Sequence, residues 1–352
     1  MAWSSIFVAR AREDRENRAP ERTGLTCAPS SPQSAQQVLR CEAVRLTRAI
    51  TRTLTCASLR VLAALVARLP QTALPWLGGA LGWLVGSLLR VRRALVEAAM
   101  RRAKLDEPRR TAAAMYRELG FGVFELLWLA GASSKARARA LARVAIDHEA
   151  VTALDEAAER GSVMLFASHT GNWELAAAAA GQLLARRGKR LVVVAKAMRV
   201  GGLDAFVTRL RARLGFCLIA PNGALSGARR ALEAGDVVVM PIDQVPDRAA
   251  HGMRVRFLHG DALADRAPAT LAWRTKATIL VVAAQRLADG CHRVVLLETI
   301  IPPPSRTHSS AIEWVESTTA RATASLEAFV RRSPESWLWL HRRWKMPLSP
   351  QT

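Results

Sequence analysis

Residues 163–174 read VMLFASHTGNWE. Five apolar residues, Val163 to Ala167, suit a buried strand. His169 follows within two residues, Thr170, Gly171 and Asn172 make a turn, and a helix opens near Trp173. Glu174 stands in the first turn of that helix, five positions after His169. Strand, turn and helix in twelve residues are the start of an α/β unit.

The same texture continues outward. Strands are expected at 191–195, 216–220, 237–240, 253–258, 278–285 and 293–298. Helices are expected at 173–186, 204–214, 225–234 and 310–332. Strands alternating with helices predict an α/β fold with a mixed, largely parallel sheet flanked by helices. Ligands gather beyond the carboxyl ends of strands in such sheets, which is where His169 falls.

Upstream the pattern is helical. Residues 39–69 interleave apolar positions with Arg45, Arg48, Arg52, Arg60 and Arg68. That suits a helix lying on an anionic membrane surface, or equally an amphipathic helix packing on a core. Residues 69–89, LPQTALPWLGGALGWLVGSLL, carry no charge over 21 positions and are followed by Arg90, Arg92 and Arg93. The length matches one bilayer crossing. Pro70, Pro75 and four glycines favour a helical hairpin buried on the domain or dipping into one leaflet. Residues 92–145 are helical again, with Tyr116, Leu119, Val123 and Leu127 on one face. The organisation is therefore a disordered basic extension over 1–38, a helical membrane-associating region over 39–145, a catalytic α/β region over 146–347 and a tail over 348–352. No secretory leader is expected, because Arg10 to Arg22 is densely charged.

The chain has 352 residues, half of them apolar, and a formal net charge of +22. Six of the 51 basic residues are lysine, so arginine dominates. The five cysteines lack CxxC spacing, which argues against a zinc site or a disulfide scaffold. No metal and no bound cofactor are expected, and no nucleic-acid module accompanies the basic residues.

His169 with a carboxylate one helical turn away suits general base catalysis. A carboxylate accepting from Nδ1–H fixes the tautomer and steadies the imidazolium. There is no GxSxG elbow, so the attacking hydroxyl would come from the substrate. Read without the rest of the chain, the pair equally describes a turn-capping histidine and a glutamate satisfying helix amides.

The stretch SHTGNWELAAAAAGQL (168–183) resembles the catalytic block of the bacterial lipid A late acyltransferases. These are the lauroyl and myristoyl transferases of the lysophospholipid acyltransferase superfamily, with the pattern H-x-G-N-W-E. His169, Gly171, Asn172, Trp173 and Glu174 match it. Residues 209–215 (RLRARLG) resemble the family's arginine block. Residues 235–248 (GDVVVMPIDQVPDR) resemble its Asp-Gln block, with Asp243 and Gln244 in register. Residues 333–345 (SPESWLWLHRRWK) resemble its carboxyl-terminal signature. The sequence departs from the family at Val245–Asp247 and at 264–270 (ADRAPAT), where substrate contacts would lie.

The resemblance implies a glycerolipid-acyltransferase-like fold and acyl transfer from a thioester to a hydroxyl of a lipid A precursor. His169 would be the base and Glu174 its orienter, with no acyl-enzyme. Arg211 is the candidate oxyanion donor, with Arg209 and Arg213 behind it. Asp243 would order Arg211 or bind the acceptor. Asn172 and Gln244 join the oxyanion or substrate-binding set. Trp337, Trp339, Arg342, Arg343 and Trp344 would meet lipid headgroups at the membrane, or pack as a lid. The implied partners are acyl carrier protein (or coenzyme A) as donor carrier, a phosphorylated glycolipid and an anionic leaflet, at the cytoplasmic face of a bacterial inner membrane. The rival expectations are another acceptor, such as a phosphatidylinositol mannoside, aminolipid or lysophospholipid, and a catalytically idle membrane scaffold.

Overall fold

The structure is a computed structural model. It describes residues 32–345 except 197, 199, 221–222, 247–248 and 305–307, and leaves aside the side chains of 32–45 and 308–309. The expected extension up to residue 31 and the tail from 348 lie outside the described residues, as does Asp247. The chain divides into two units at Thr51 and Arg52, within the first helix.

Helix α1 spans Pro32–Val66, beginning seven residues ahead of the expected 39. Proline is well placed at a helix start, and QSAQQ after it contains no breaker. Its segment Leu46–Val66 is long and apolar enough to cross a membrane, and 17% of its most apolar window is buried. Helix α2 (Leu74–Trp83) runs on as a π turn to Leu88. The chain then bends by 88° into α3 (Arg93–Arg102).

Helix α4, Pro108–Gly131, receives α2 in close contact. A Cβ on Gly120 would lie 2.2 Å from the Gly78 carbonyl oxygen, and one on Gly78 would lie 2.3 Å from the Phe121 Cα. Gly78, Gly82 and Gly86 are thus the packing face of this stretch, because only hydrogen side chains let α4 approach so closely. The opposite face, Trp76, Trp83, Leu84 and Leu88, is exposed. Tyr116 of α4 donates its hydroxyl to the Val91 carbonyl, tying the bend down. Helix α5 is Ser134–Leu141, capped by the Ser133 side chain.

The rest alternates as expected, with a strand at 144–146, a helix at 148–160, a strand at 260–265 and a helix at 267–275 besides the expected elements. The elements are β1 (Val144–Ile146), α6 (His148–Arg160), β2 (Val163–Ala167), α7 (Trp173–Ala185), β3 (Leu191–Val194), α8 (Gly201–Arg213), β4 (Cys217–Ile219), α9 (Ala224–Glu233) and β5 (Val237–Pro241). Then follow β6 (Gly252–Phe257), β7 (Gly260–Asp265), α10 (Ala267–Thr275), β8 (Thr278–Arg286), β9 (His292–Ile300) and α11 (His308–Arg332). The seven-stranded sheet has the order β1-β9-β8-β2-β5-β3-β4. Every pairing is parallel except β8 with β9. Strands β6 and β7 form a separate antiparallel hairpin.

Period-two alternation builds two cores, one on each sheet face. Met164, Phe166, Val238 and Met240 point into the core shared with α3 and α11. Val163, Leu165, Val237 and Val239 point into the other, against α7 and α8. Each such buried side chain contributes about 1.5–3 kcal/mol, and burial on both faces is why these strands read as continuous apolar runs.

Candidate active site

Strands β2 and β5 lie side by side at the centre of the sheet, with Ala167 opposite Pro241. The Ile242 amide continues the ladder onto the Ala167 carbonyl at 2.9 Å. His169 and Asp243 each stand two residues past that last pair, so the sheet register brings them together. His169 Nδ1 lies 2.9 Å from Asp243 Oδ1. The His169 backbone amide donates to Oδ2 at 2.9 Å, and the Trp337 indole donates to the same oxygen at 3.1 Å.

This corrects two expectations. The carboxylate on His169 Nδ1 is Asp243 and not Glu174. Asp243 is also fully buried, and its oxygens are taken by His169 and Trp337 and not by Arg211. Glu174 instead pairs with Arg211 from the last turn of α8, whose Nε lies 2.9 Å from Oε2. The Arg211 Nη2 to Oε1 contact completes a bidentate pair. The physical reason is direction. Glu174 leaves α7 on the side facing α8, whereas Nδ1 faces the neighbouring strand.

Burial opposes charge on His169, but the Asp243 carboxylate outweighs it, so the imidazole pKa is raised above its ordinary value. Burial likewise opposes the Asp243 anion. The charge and hydrogen bonds of His169 overcome it and hold the carboxyl well below its usual range. The other ring nitrogen, Nε2, lies 3.4 Å from the Gln244 side-chain nitrogen. Trp173 and His341 flank the imidazole edge to face, at 5.1 and 5.0 Å.

The loop of His169 is fixed from several sides. Gly171 takes φ +52°, and a Cβ there would meet the Ala284 carbonyl at 2.8 Å, which restricts this position to glycine. Its amide donates to the Ser336 carbonyl at 2.7 Å, and the Leu338 amide donates to the His169 carbonyl at 3.0 Å. Thr170 Oγ1 accepts from the Ala284 amide at 3.0 Å. Asn172 caps α7 by accepting from the Leu175 amide at 3.2 Å, and donates to Glu125 Oε2 at 2.8 Å. The Asn172 amide is thereby occupied in holding the loop. That corrects its expected place among the substrate-binding residues.

Glu125 lies in α4 and also receives Arg286, through Nη1 at 2.9 Å and Nη2 at 2.8 Å. His292 Nε2 is 2.8 Å from its Oε1. Burial would raise the Glu125 pKa, but these partners bring it down to about 2. Sequence reasoning missed Glu125, Arg286 and His292. A Glu inside FGVFELLWL (121–129), an otherwise apolar run, was the available signal, because buried charges are paired.

The carboxyl-terminal cluster is mostly interior. Trp337, Trp339 and Arg343 are buried, which corrects the headgroup alternative for these three and leaves the packed one. Trp337 serves Asp243, and Trp339 donates to the Pro334 carbonyl at 2.6 Å. Arg343 donates to the carbonyls of Gln244 (3.1 Å) and Leu263 (2.7 Å), and burial lowers its pKa to about 10. Trp344 is half-buried and donates to the Phe257 carbonyl at 3.0 Å. Arg342 remains exposed.

A cavity of about 540 Å³ opens at this site. Its polar end carries His169, Glu174, Arg211 and Gln244, and its body is lined by Leu154, Leu165, Ala177, Ala180, Val193 and Val282. The alanine run 176–180 explains the space: methyl groups on α7 are too short to fill the gap between helix and sheet. His169, Asp243 and His341 also place ligand-type atoms within 4.8 Å of one another, although the Asp243 oxygens already accept three hydrogen bonds.

No curated protein matches the chain at significance. The family described as Bacterial lipid A biosynthesis acyltransferase matches residues 42–346. With that match spanning most of its length, and a strand-end histidine set over an apolar cavity, the chain belongs to the bacterial lipid A biosynthesis acyltransferases.

Proposed function

We propose that this acyltransferase moves a fatty acyl group from an acyl carrier protein thioester to a hydroxyl of a lipid A precursor, with His169 as general base. The observation that carries the reading is the lock of Nδ1 on Asp243. It leaves Nε2 as the acceptor at the polar mouth of an apolar cavity.

In this reading the acyl chain lies in the cavity with its thioester carbonyl near His169. Nε2 takes the proton of the acceptor hydroxyl as its oxygen attacks the carbonyl carbon. Asp243 stabilises the imidazolium through Nδ1–H. The tetrahedral oxyanion needs donors placed in advance. Gln244 Nε2 and Arg211 are donors on the cavity wall, the first 3.4 Å from His169 Nε2. Glu174 holds Arg211 in place. Collapse expels the thiolate, which takes the proton from His169, so protons balance without an acyl-enzyme. The residues suffice for this chemistry without a cofactor of the protein's own.

The surface supports work at a membrane. The outer face of α2 presents Trp76 and Trp83, and α1 presents Leu54, Val61 and Leu65. Arg60, Arg68, Arg90 and Arg92 are exposed near them in sequence. Apolar faces ringed by arginine suit an anionic leaflet. The donor carrier places the reaction at the cytoplasmic face of the inner membrane.

The test is acyl transfer by the purified protein. It takes a radiolabelled acyl-carrier-protein pool and tetra-acylated lipid A precursor, with wild type beside His169→Ala. Label in the precursor that vanishes in the variant supports acceptor and base together. Label that goes only to a lysophospholipid or phosphatidylinositol mannoside, offered in parallel, replaces the acceptor. Equal transfer by His169→Ala overturns the base.

A further inference from the structure

Glu125 stands outside the stretch that carries His169, in a helix that precedes the sheet, yet its carboxylate is saturated at the edge of the site. Oε1 accepts from Arg286 and His292, and Oε2 from Arg286 and Asn172. These four bonds fill the acceptor capacity of a carboxylate. The Glu125 side chain is 12% exposed and that of Arg286 7%. Arg286, at the end of β8, is gripped further by α4. Its Nε donates to Glu118 at 2.6 Å, and its guanidinium lies 3.7 Å from the Phe121 ring centre. Glu118, Phe121 and Glu125 fall at i, i+3 and i+7, one face of the helix.

The His169 amide and ring hold the Asp243 carboxylate, and the flanking contacts to the loop use backbone groups and the Thr170 hydroxyl. The Asn172 contact joins the loop to the charged network on α4. It also decides the amide's orientation. Nδ2 must face the carboxylate, so Oδ1 faces the Leu175 amide and caps α7. Asn172 is three residues from His169 and two from Glu174. Its position therefore bears on both the base and the Glu174–Arg211 pair.

We infer that Glu125, backed by Arg286 and His292, is a positioning residue for the acyl transfer: through Asn172 it sets the loop that aims His169 at the acceptor. The helical region before the sheet thus supplies part of the active site. The inference rests on His169 being the base.

The test exchanges the partners. Glu125→Gln turns a nitrogen toward donors, and Asn172→Asp keeps the helix cap but sets two carboxylates together. In Glu125→Gln/Asn172→Asp the side-chain amide donates to the new carboxylate, which restores the bond with its polarity reversed. Misplacement of about 1 Å costs about 10²-fold in rate. Each single variant is therefore expected to lose about 10²-fold in kcat with KM within about twofold. The double variant is expected to recover at least about tenfold of that loss. Rates are taken per folded protein, so a kcat loss at unchanged KM that returns in the double separates positioning from a general loss of folded protein. Glu125→Asp retains the charge for Arg286 but withdraws it from Asn172. It is expected to fold like wild type and show the same kcat loss, should Glu125→Gln not fold. Singles at wild-type kcat, or a double variant no better than the product of its singles, overturn the inference while an inactive His169→Ala leaves the base standing. An active His169→Ala instead removes the reading on which the inference rests.

Discussion

Arg211→Met leaves Glu174 as a buried carboxylate without its partner. The side chains are 14% and 7% exposed, so water screens the pair little. With Nε 2.9 Å from Oε2 and an effective dielectric of about 20, the attraction is about 6 kcal/mol. Water entry and relaxation recover part of it, and breaking such a pair costs about 3–5 kcal/mol. The expected loss is therefore about 4 kcal/mol, read from urea unfolding in detergent followed by near-ultraviolet circular dichroism. Arg211→Met/Glu174→Leu removes both charges and is expected to return to within about 1–2 kcal/mol of wild type, because buried pairs exchange for apolar residues at little cost. A loss below about 1 kcal/mol in Arg211→Met, or a double variant no more stable than the single, would refute the assignment of Glu174 to Arg211.

Asp243→Asn is expected to lower kcat by about 10²- to 10⁴-fold and to shift the pH profile. Neutral His169 is the active form, so rate rises as pH passes upward through its pKa. Asp243 raises that pKa, so the acid limb of kcat/KM moves to lower pH in the variant. Gly120→Val drives a side chain into the Gly78 carbonyl. It should cost at least about 1–3 kcal/mol of overpacking and expose the 84–92 bend to limited proteolysis. Gly79→Ala meets no atom within 4 Å and should be neutral or slightly stabilising. Trp76→Ser/Trp83→Ser is expected to weaken sedimentation with anionic vesicles by at least about tenfold, from the apolar area of two indoles, with acyl transfer to detergent-dispersed acceptor unchanged.

Periodicity made the sheet legible. The strand at Val163–Ala167 and the helix after it follow from an apolar run and a turn of Thr, Gly and Asn. The strand Val144–Ile146 is three residues long, too short for alternation to stand out. Helix α10 was masked by reading ADRAPAT as a substrate loop, although Pro268 sits at a normal helix-start position. His169 was legible at its strand end. Its partner was not, because sequence distance favoured Glu174 while strand register joins positions 169 and 243. The tryptophans of the carboxyl-terminal signature resembled a membrane belt by composition. Burial follows from what their indole nitrogens reach, Asp243 for Trp337 and the Pro334 carbonyl for Trp339, and composition carries no trace of that. The glycines of 69–89 looked like interruptions of a span. Gly78, Gly82 and Gly86 are contact points for α4, visible only once that helix is opposite.

Histidine-selective ¹⁵N labelling measures directly which carboxylate holds His169. The Nδ1–H proton of His169, assigned by its loss in His169→Ala, is expected as a downfield, exchange-protected resonance. It should persist in Glu174→Gln and disappear or move upfield in Asp243→Asn. A resonance that survives Asp243→Asn and is lost in Glu174→Gln would contradict the arrangement.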